Sequence, residues 1–310
     1  MNSTQTYDGI DLLKFILCIM IVAVHTELLF KYEIIQSAVK HFNRTSIYFA
    51  ISTFLYFNKK NNIKEKLFHF LKRIIILYVV WEIIYFPYTW IYFYSFANTK
   101  EILFAVLFTG TFGISWFLKA LMWGTIILSI IPRKYTLIST IFFSLISIFP
   151  IYTEISTHAV NYYYTFIPHL WCMSAGKLIA EKYKKLLFNL KPYNYICFFI
   201  IVYCISFLPI PKIELICRLI IPYLILPLFM KLHCIDTNVS KILRKLSVII
   251  YLVHMLFIYI LENKISMLSL SEVYFVDSIL YYLIILTFSL LTGLFIINIE
   301  SRIKILRYLH

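Results

Sequence analysis

Glycine and proline are scarce in the chain, with 6 and 9 among 310 residues. That scarcity excludes collagen-like repeats and disordered low-complexity segments, both of which are rich in these residues. Charge is scarce as well. Asp, Glu, Lys and Arg make up 14% of the residues, against about 25% in an ordinary soluble domain. Acidic residues are the rarer sign, 15 against 29 Lys and Arg, which leaves a formal charge of +14. With hydrophobic residues at 61%, there is too little polar surface to cover a soluble globule. The six cysteines, at positions 18, 172, 197, 204, 217 and 234, lack ligand spacing and read as small apolar packing residues. No metal site is expected. Gly176-Lys177 lacks the earlier glycine of a phosphate-binding loop, because Trp171 stands in its place. H-E-x-x-H, G-x-S-x-G and C-x-x-C patterns are also missing.

Long apolar runs are what the sequence does have. A helix crosses the hydrocarbon core of a bilayer in about 20 apolar residues. Ten stretches qualify: 12–30, 45–57, 74–95, 113–131, 135–152, 163–180, 194–210, 213–230, 246–262 and 274–298, the second of them short. The expected fold is an all-α membrane protein with about ten transmembrane helices, in a single integral-membrane domain over residues 1–310. The connecting segments alternate in charge. Segments 58–73, 132–134, 181–192, 231–245 and 299–310 hold 19 Lys and Arg, and the intervening set holds 6. By the positive-inside rule both termini lie in the cytoplasm. The basic excess therefore reports sidedness. It gives no reason to expect a nucleic-acid partner, and the lipid bilayer is the expected partner. The first run follows Asp8 and Asp11 and has no A-x-A site, so no cleavable signal is expected.

Ionisable residues inside a membrane are costly, and each is a candidate for function. Lys14 and His25 lie on the first span, eleven residues apart. That is close to three helical turns, so they share a face about 16 Å apart along the axis. A cation near the cytoplasmic surface and a deeper imidazole suit a long ligand with an anionic head, the shape of coenzyme A. Alternatively, Lys14 snorkels to the interface and His25 bonds a neighbouring helix. On the third span Glu82 follows Arg73 by nine residues, about 13 Å deeper and at the depth of His25. A carboxylate there would hold an imidazole in one tautomer, or it would pair with Lys119 or Arg218. Those two cations either line an outer vestibule or snorkel. His169 and His254 suit single interhelical hydrogen bonds, and Glu27 suits a solvated place at the outer boundary.

Several segments carry a resemblance. Tyr7-Asp8-Gly9-Ile10-Asp11-Leu12-Leu13-Lys14-Phe15, running on to Val24-His25-Thr26, resembles the opening helix of the acyltransferase 3 family of integral-membrane acyltransferases. That helix carries a basic residue, ten residues, then histidine. Phe49-Ala50-Ile51-Ser52-Thr53-Phe54-Leu55 is similar to the family's F-F-x-x-S-G-F/Y-L segment. Phe70-Leu71-Lys72-Arg73-Ile74 is similar to the basic start of its third helix. Ser115-Trp116-Phe117-Leu118 resembles its W-F/Y-L segment, and Leu246 to His254 its S-x-x-I-Y-L-x-H helix. The chain departs from the pattern at Thr53, where glycine is usual, and at Ile76, where a second arginine is common. Ile114-Ser115 replace a histidine that often precedes the tryptophan.

The resemblance implies an O-acyltransferase of the plasma (inner) membrane, and within that class an O-acetyltransferase. Acetyl-coenzyme A from the cytoplasm would be the donor substrate, with no cofactor bound permanently. A hydroxyl of a cell-surface or lipid-linked glycan would be the acceptor, and no extracytoplasmic hydrolase-like domain is expected. His25 would be the general base, kept neutral near pH 7 by burial, with Glu82 as its carboxylate partner. Lys14 and Arg73 would hold the coenzyme phosphates. Trp116, Lys119, Tyr251 and His254 complete the expected substrate-binding set. A transporter is the alternative, with Pro222 and Pro227 marking a broken helix. A non-catalytic component of a glycan-synthesis complex is a second alternative.

Overall fold

The computed structural model describes residues 7–26, 42, 44–59, 62–95, 99–109, 114–152, 165–208, 213–232, 236–267, 279–300 and 302. Glu27 and the remainder of the first apolar stretch lie outside them. Among the described residues there is helix and no strand, so the architecture is all-α. In chain order the helices are α1 (Asp8–His25), α2 (Arg44–Phe57), α3 (Ile63–Ser95), α4 (Thr99–Phe104), α5 (Ser115–Ile130) and α6 (Thr136–Tyr152). They continue with α7 (Leu170–Leu178), α8 (Lys184–Asn189), α9 (Pro192–Ile205), α10 (Ile213–Lys231), α11 (Thr237–Met267) and α12 (Ile279–Ile299).

Local signals set these boundaries. Asp8 and Asp11 occupy the first turn of α1, where carboxylates complement the positive end of the helix dipole. Pro192 opens α9 at the first helical position, where its missing N–H costs nothing. Pro132 stops α5 and leads into a short 3-10 turn at Arg133–Tyr135. By contrast, α10 runs unbroken through Pro222 and Pro227, so the break sought there is not present.

Among the described residues, Thr237–Leu261 and Ile279–Ile299 are long and apolar enough to cross a membrane. Ser115–Ile130 and Arg133–Ser147 form a pair bent by 106° that passes the same test together. Pro192–Ile205 is apolar but shorter, whereas α1 carries Asp8, Asp11 and Lys14, and α3 carries Lys72, Arg73 and Glu82. Large apolar side chains point outward on many helices, among them Phe295, Ile138 and Leu145. A lipid surround accepts them where water would not.

The chain folds into two compact units. The first joins residues Met1–Arg44 to Phe229–His310, and the second is Thr45–Leu228. In the first, α11 packs against both α1 and α12. Gly9 lets the start of α1 lie directly on the Phe229 and Leu232 carbonyls, where any Cβ would collide. In the second, α7 packs against α6 and α5, and α3 against α5. Gly176 of α7 is pressed onto the Ala50 carbonyl and Phe54 N–H of α2, again leaving no room for a Cβ.

Candidate functional site

In the first unit the polar residues of α1 recur every seventh position, at Asp11, Cys18 and His25. Those of α11 recur likewise, at Ser240, Ser247 and His254, with Arg244 and Tyr251 one turn beyond the first two. A seven-residue repeat keeps one seam facing a partner helix, and the contacts trace that seam. At one end the buried Asp11 carboxylate accepts from Ser240 Oγ at 2.7 Å. Arg244 donates to it from Nε at 3.0 Å and from Nη2 at 2.6 Å. Midway, the Cys18 thiol meets the backbone of Tyr251. At the far end the rings of His25 and His254 stand 5.2 Å apart between centroids, tilted by 43°.

Asp11 pairs with Ser240 at a separation of 229 residues, and His25 with His254 at the same separation. The two helices therefore run parallel and in register. His254 is fully buried, and its Nδ1 lies 3.0 Å from the Ile250 carbonyl. A carbonyl only accepts, so Nδ1 carries the proton and Nε2 keeps its lone pair. Among the described residues that buried Nε2 has no hydrogen-bond partner. The Tyr251 ring lies 6.1 Å from His254. His25 presents accessible surface although protein surrounds it on most sides, and the charge of Arg44 acts on it. Lys14 is half-buried on the same helix. Lys245 on α11 holds Glu300, just beyond α12, at 2.6 Å.

In the second unit Lys119 is buried on α5. Its Nζ lies 4.1 Å over the Tyr78 ring and donates to the Ala105 carbonyl at 3.4 Å. Glu82, one turn beyond Tyr78 on α3, interacts with it electrostatically. Arg73 is exposed two turns before Glu82. Trp116 packs at 5.1 Å from the buried His169 ring, which stacks on Phe49 at 4.8 Å. Arg218 pairs with Glu214 on its own helix.

Of the residues expected from sequence, the structure thus brings together His25, Tyr251 and His254. It brings Glu82 to Lys119, and it places Trp116 in an aromatic cluster with His169. Neither the Asp11–Arg244 pair nor the partners of Lys177 follow from the sequence. Lys177 is buried and donates to the Leu128 and Ile131 carbonyls at 2.7 and 2.5 Å. It thereby caps the end of α5, whose last carbonyls have no helical partner. Glu181 holds the turn that follows: it accepts from Thr136 Oγ1 at 2.7 Å, and Arg133 donates to its carbonyl. Burial lowers the Lys66 amine below its usual value, an effect that nearby Glu181 opposes. The available signal was physical: each buried charge in so apolar a chain needs a partner.

The family model described as an acyltransferase domain, of the acyltransferase 3 type, matches residues 7–298. The chain belongs to that family and is a membrane acyltransferase. Comparison with curated proteins and with solved structures found no match.

Proposed function

We propose that the protein is a multi-pass O-acetyltransferase of the plasma membrane, with ten spans and both termini in the cytoplasm. It moves an acetyl group from cytoplasmic acetyl-coenzyme A to a hydroxyl of a cell-surface or lipid-linked glycan. The observation that carries this reading is His25 itself. It is an accessible imidazole at the end of α1, on the same helix as Lys14 and eleven residues beyond it.

The acceptor hydroxyl oxygen attacks the thioester carbon while His25 takes the hydroxyl proton. A carbon–oxygen bond forms, the carbon–sulfur bond breaks, and the leaving thiolate recovers the proton as free coenzyme A. Lys14 and Arg73 bind the coenzyme phosphates through charge-assisted hydrogen bonds. Trp116, Lys119, Tyr251 and His254 make up the proposed substrate-binding set. Glu82 acts through Lys119, the cation beside it.

The reading is tested with membranes from cells expressing the full chain, supplied with acetyl-coenzyme A labelled in the acetyl group. Alkali-labile label should appear in the glycan fraction and disappear from His25→Ala membranes that hold as much protein. A transporter would instead move its substrate in liposomes with no acyl donor present.

A further inference from the structure

His254 is buried completely, its Nδ1–H is committed to the Ile250 carbonyl, and among the described residues its Nε2 has no hydrogen-bond partner. Leaving such an atom unsatisfied forfeits its hydrogen bond to water with nothing in return, so an arrangement that keeps it calls for an explanation. A charged imidazole in that place would cost more still without a second partner. The ring is therefore neutral, and Nε2 is a hydrogen-bond acceptor looking for a donor. Its nearest ring is His25, with centroids 5.2 Å apart. At that separation, ring nitrogens that face one another reach the ordinary hydrogen-bond range of about 2.7–3.2 Å. With His254 held by Ile250, turning the His25 ring within its broad two-fold torsional well is the movement that aligns them.

We propose that His254 is the positioning residue for His25, in addition to lining the substrate site. Its Nε2 accepts the N–H of the His25 ring and so fixes which His25 nitrogen keeps the lone pair. The other His25 nitrogen is then the one presented to the acceptor hydroxyl. When His25 takes the hydroxyl proton, its second N–H stays bonded to His254, which steadies the imidazolium without itself becoming charged. This is the orienting role that a carboxylate plays in a triad, filled here by a neutral imidazole. Among the described residues, the charge of Arg44 acts on His25 and the Tyr251 ring lies 6.1 Å from His254.

The inference rests on the reading of His25 as general base, and its test separates the two. Initial rates of label transfer from acetyl-coenzyme A are compared in membranes carrying equal amounts of the full chain and of its variants. His254→Phe keeps the shape and removes the acceptor. His254→Gln places an amide oxygen close to the Nε2 position. The expected result is a kcat loss of about 10²-fold for His254→Phe, the scale of a misplaced catalytic group, with KM for acetyl-coenzyme A unchanged. His254→Gln should recover most of the loss. A purely structural role predicts equal losses in both variants, and a pure binding role predicts a raised KM with kcat preserved. Either outcome overturns the proposal. Unchanged rates in both variants overturn it too and leave the reading of His25 intact, whereas full activity in His25→Ala removes both.

Discussion

The Asp11 carboxylate and the Arg244 guanidinium, 2.6 Å apart at their closest, fix α1 and α11 in one register. His25 meets His254 in that same register fourteen residues further along, about 21 Å away along the helix axis. A slip of one residue in either helix would turn one imidazole about 100° away from the other. The ion pair at one end of the α1–α11 seam therefore positions the pair of rings at the other.

Arg244→Ala should leave Asp11 buried with Ser240 as its remaining donor. The expected loss of stability is about 1–3 kcal/mol, less than for a fully buried pair because Arg244 is 46% exposed. A melt of the detergent-purified protein, followed by size-exclusion chromatography, measures it. Acetyl transfer should fall as well. An Asp11→Arg, Arg244→Asp double variant should recover part of both, since the two charges are exchanged rather than lost.

Lys14→Met should raise KM for acetyl-coenzyme A and leave kcat near its original value. Losing a contact made equally to substrate and transition state has that signature. Lys14→Arg should stay close to the parent. A Lys14→Met variant with normal KM and reduced kcat would move Lys14 out of the phosphate-binding role.

Glu82 and Lys119 should behave as one unit. Glu82→Gln and Lys119→Met each reduce label transfer, and the double variant should fall short of the summed losses by about 0.5–3 kcal/mol, the usual range for neighbours. Additive losses in the double-mutant cycle would show that Glu82 acts by another route.

Gly176→Ala should destabilise the protein by about 1–3 kcal/mol, the usual cost of forcing atoms into a filled space. The new methyl meets backbone atoms of Ala50 and Phe54, which cannot swing aside as a side chain can. Gly124→Ala is the control. Its methyl meets the flexible end of Met173, so the loss should be smaller in the same melt.

The helices were legible because apolar runs broken by charge and proline leave few other structures open to the chain. The Lys14–His25 spacing was legible because it lies within one helix. The partner of His25 was not, since residues 229 positions apart are joined by packing and not by pattern. The seven-residue recurrence at Asp11, Cys18 and His25 was visible, but it acquires meaning only once the matching recurrence on α11 faces it. Depth alone left Glu82 three possible partners, and packing of α3 on α5 brought it to Lys119. The partners of Lys177 were hidden for a different reason. They are backbone carbonyls, which every residue has and no sequence motif announces.

The most direct test of the central claim is label transfer from acetyl-coenzyme A to the glycan fraction in membranes holding equal amounts of parent chain and His25→Ala. The account predicts ester-linked label with the parent and background with the variant, while the variant inserts and melts as the parent does. Undiminished ester-linked label in His25→Ala membranes would contradict it.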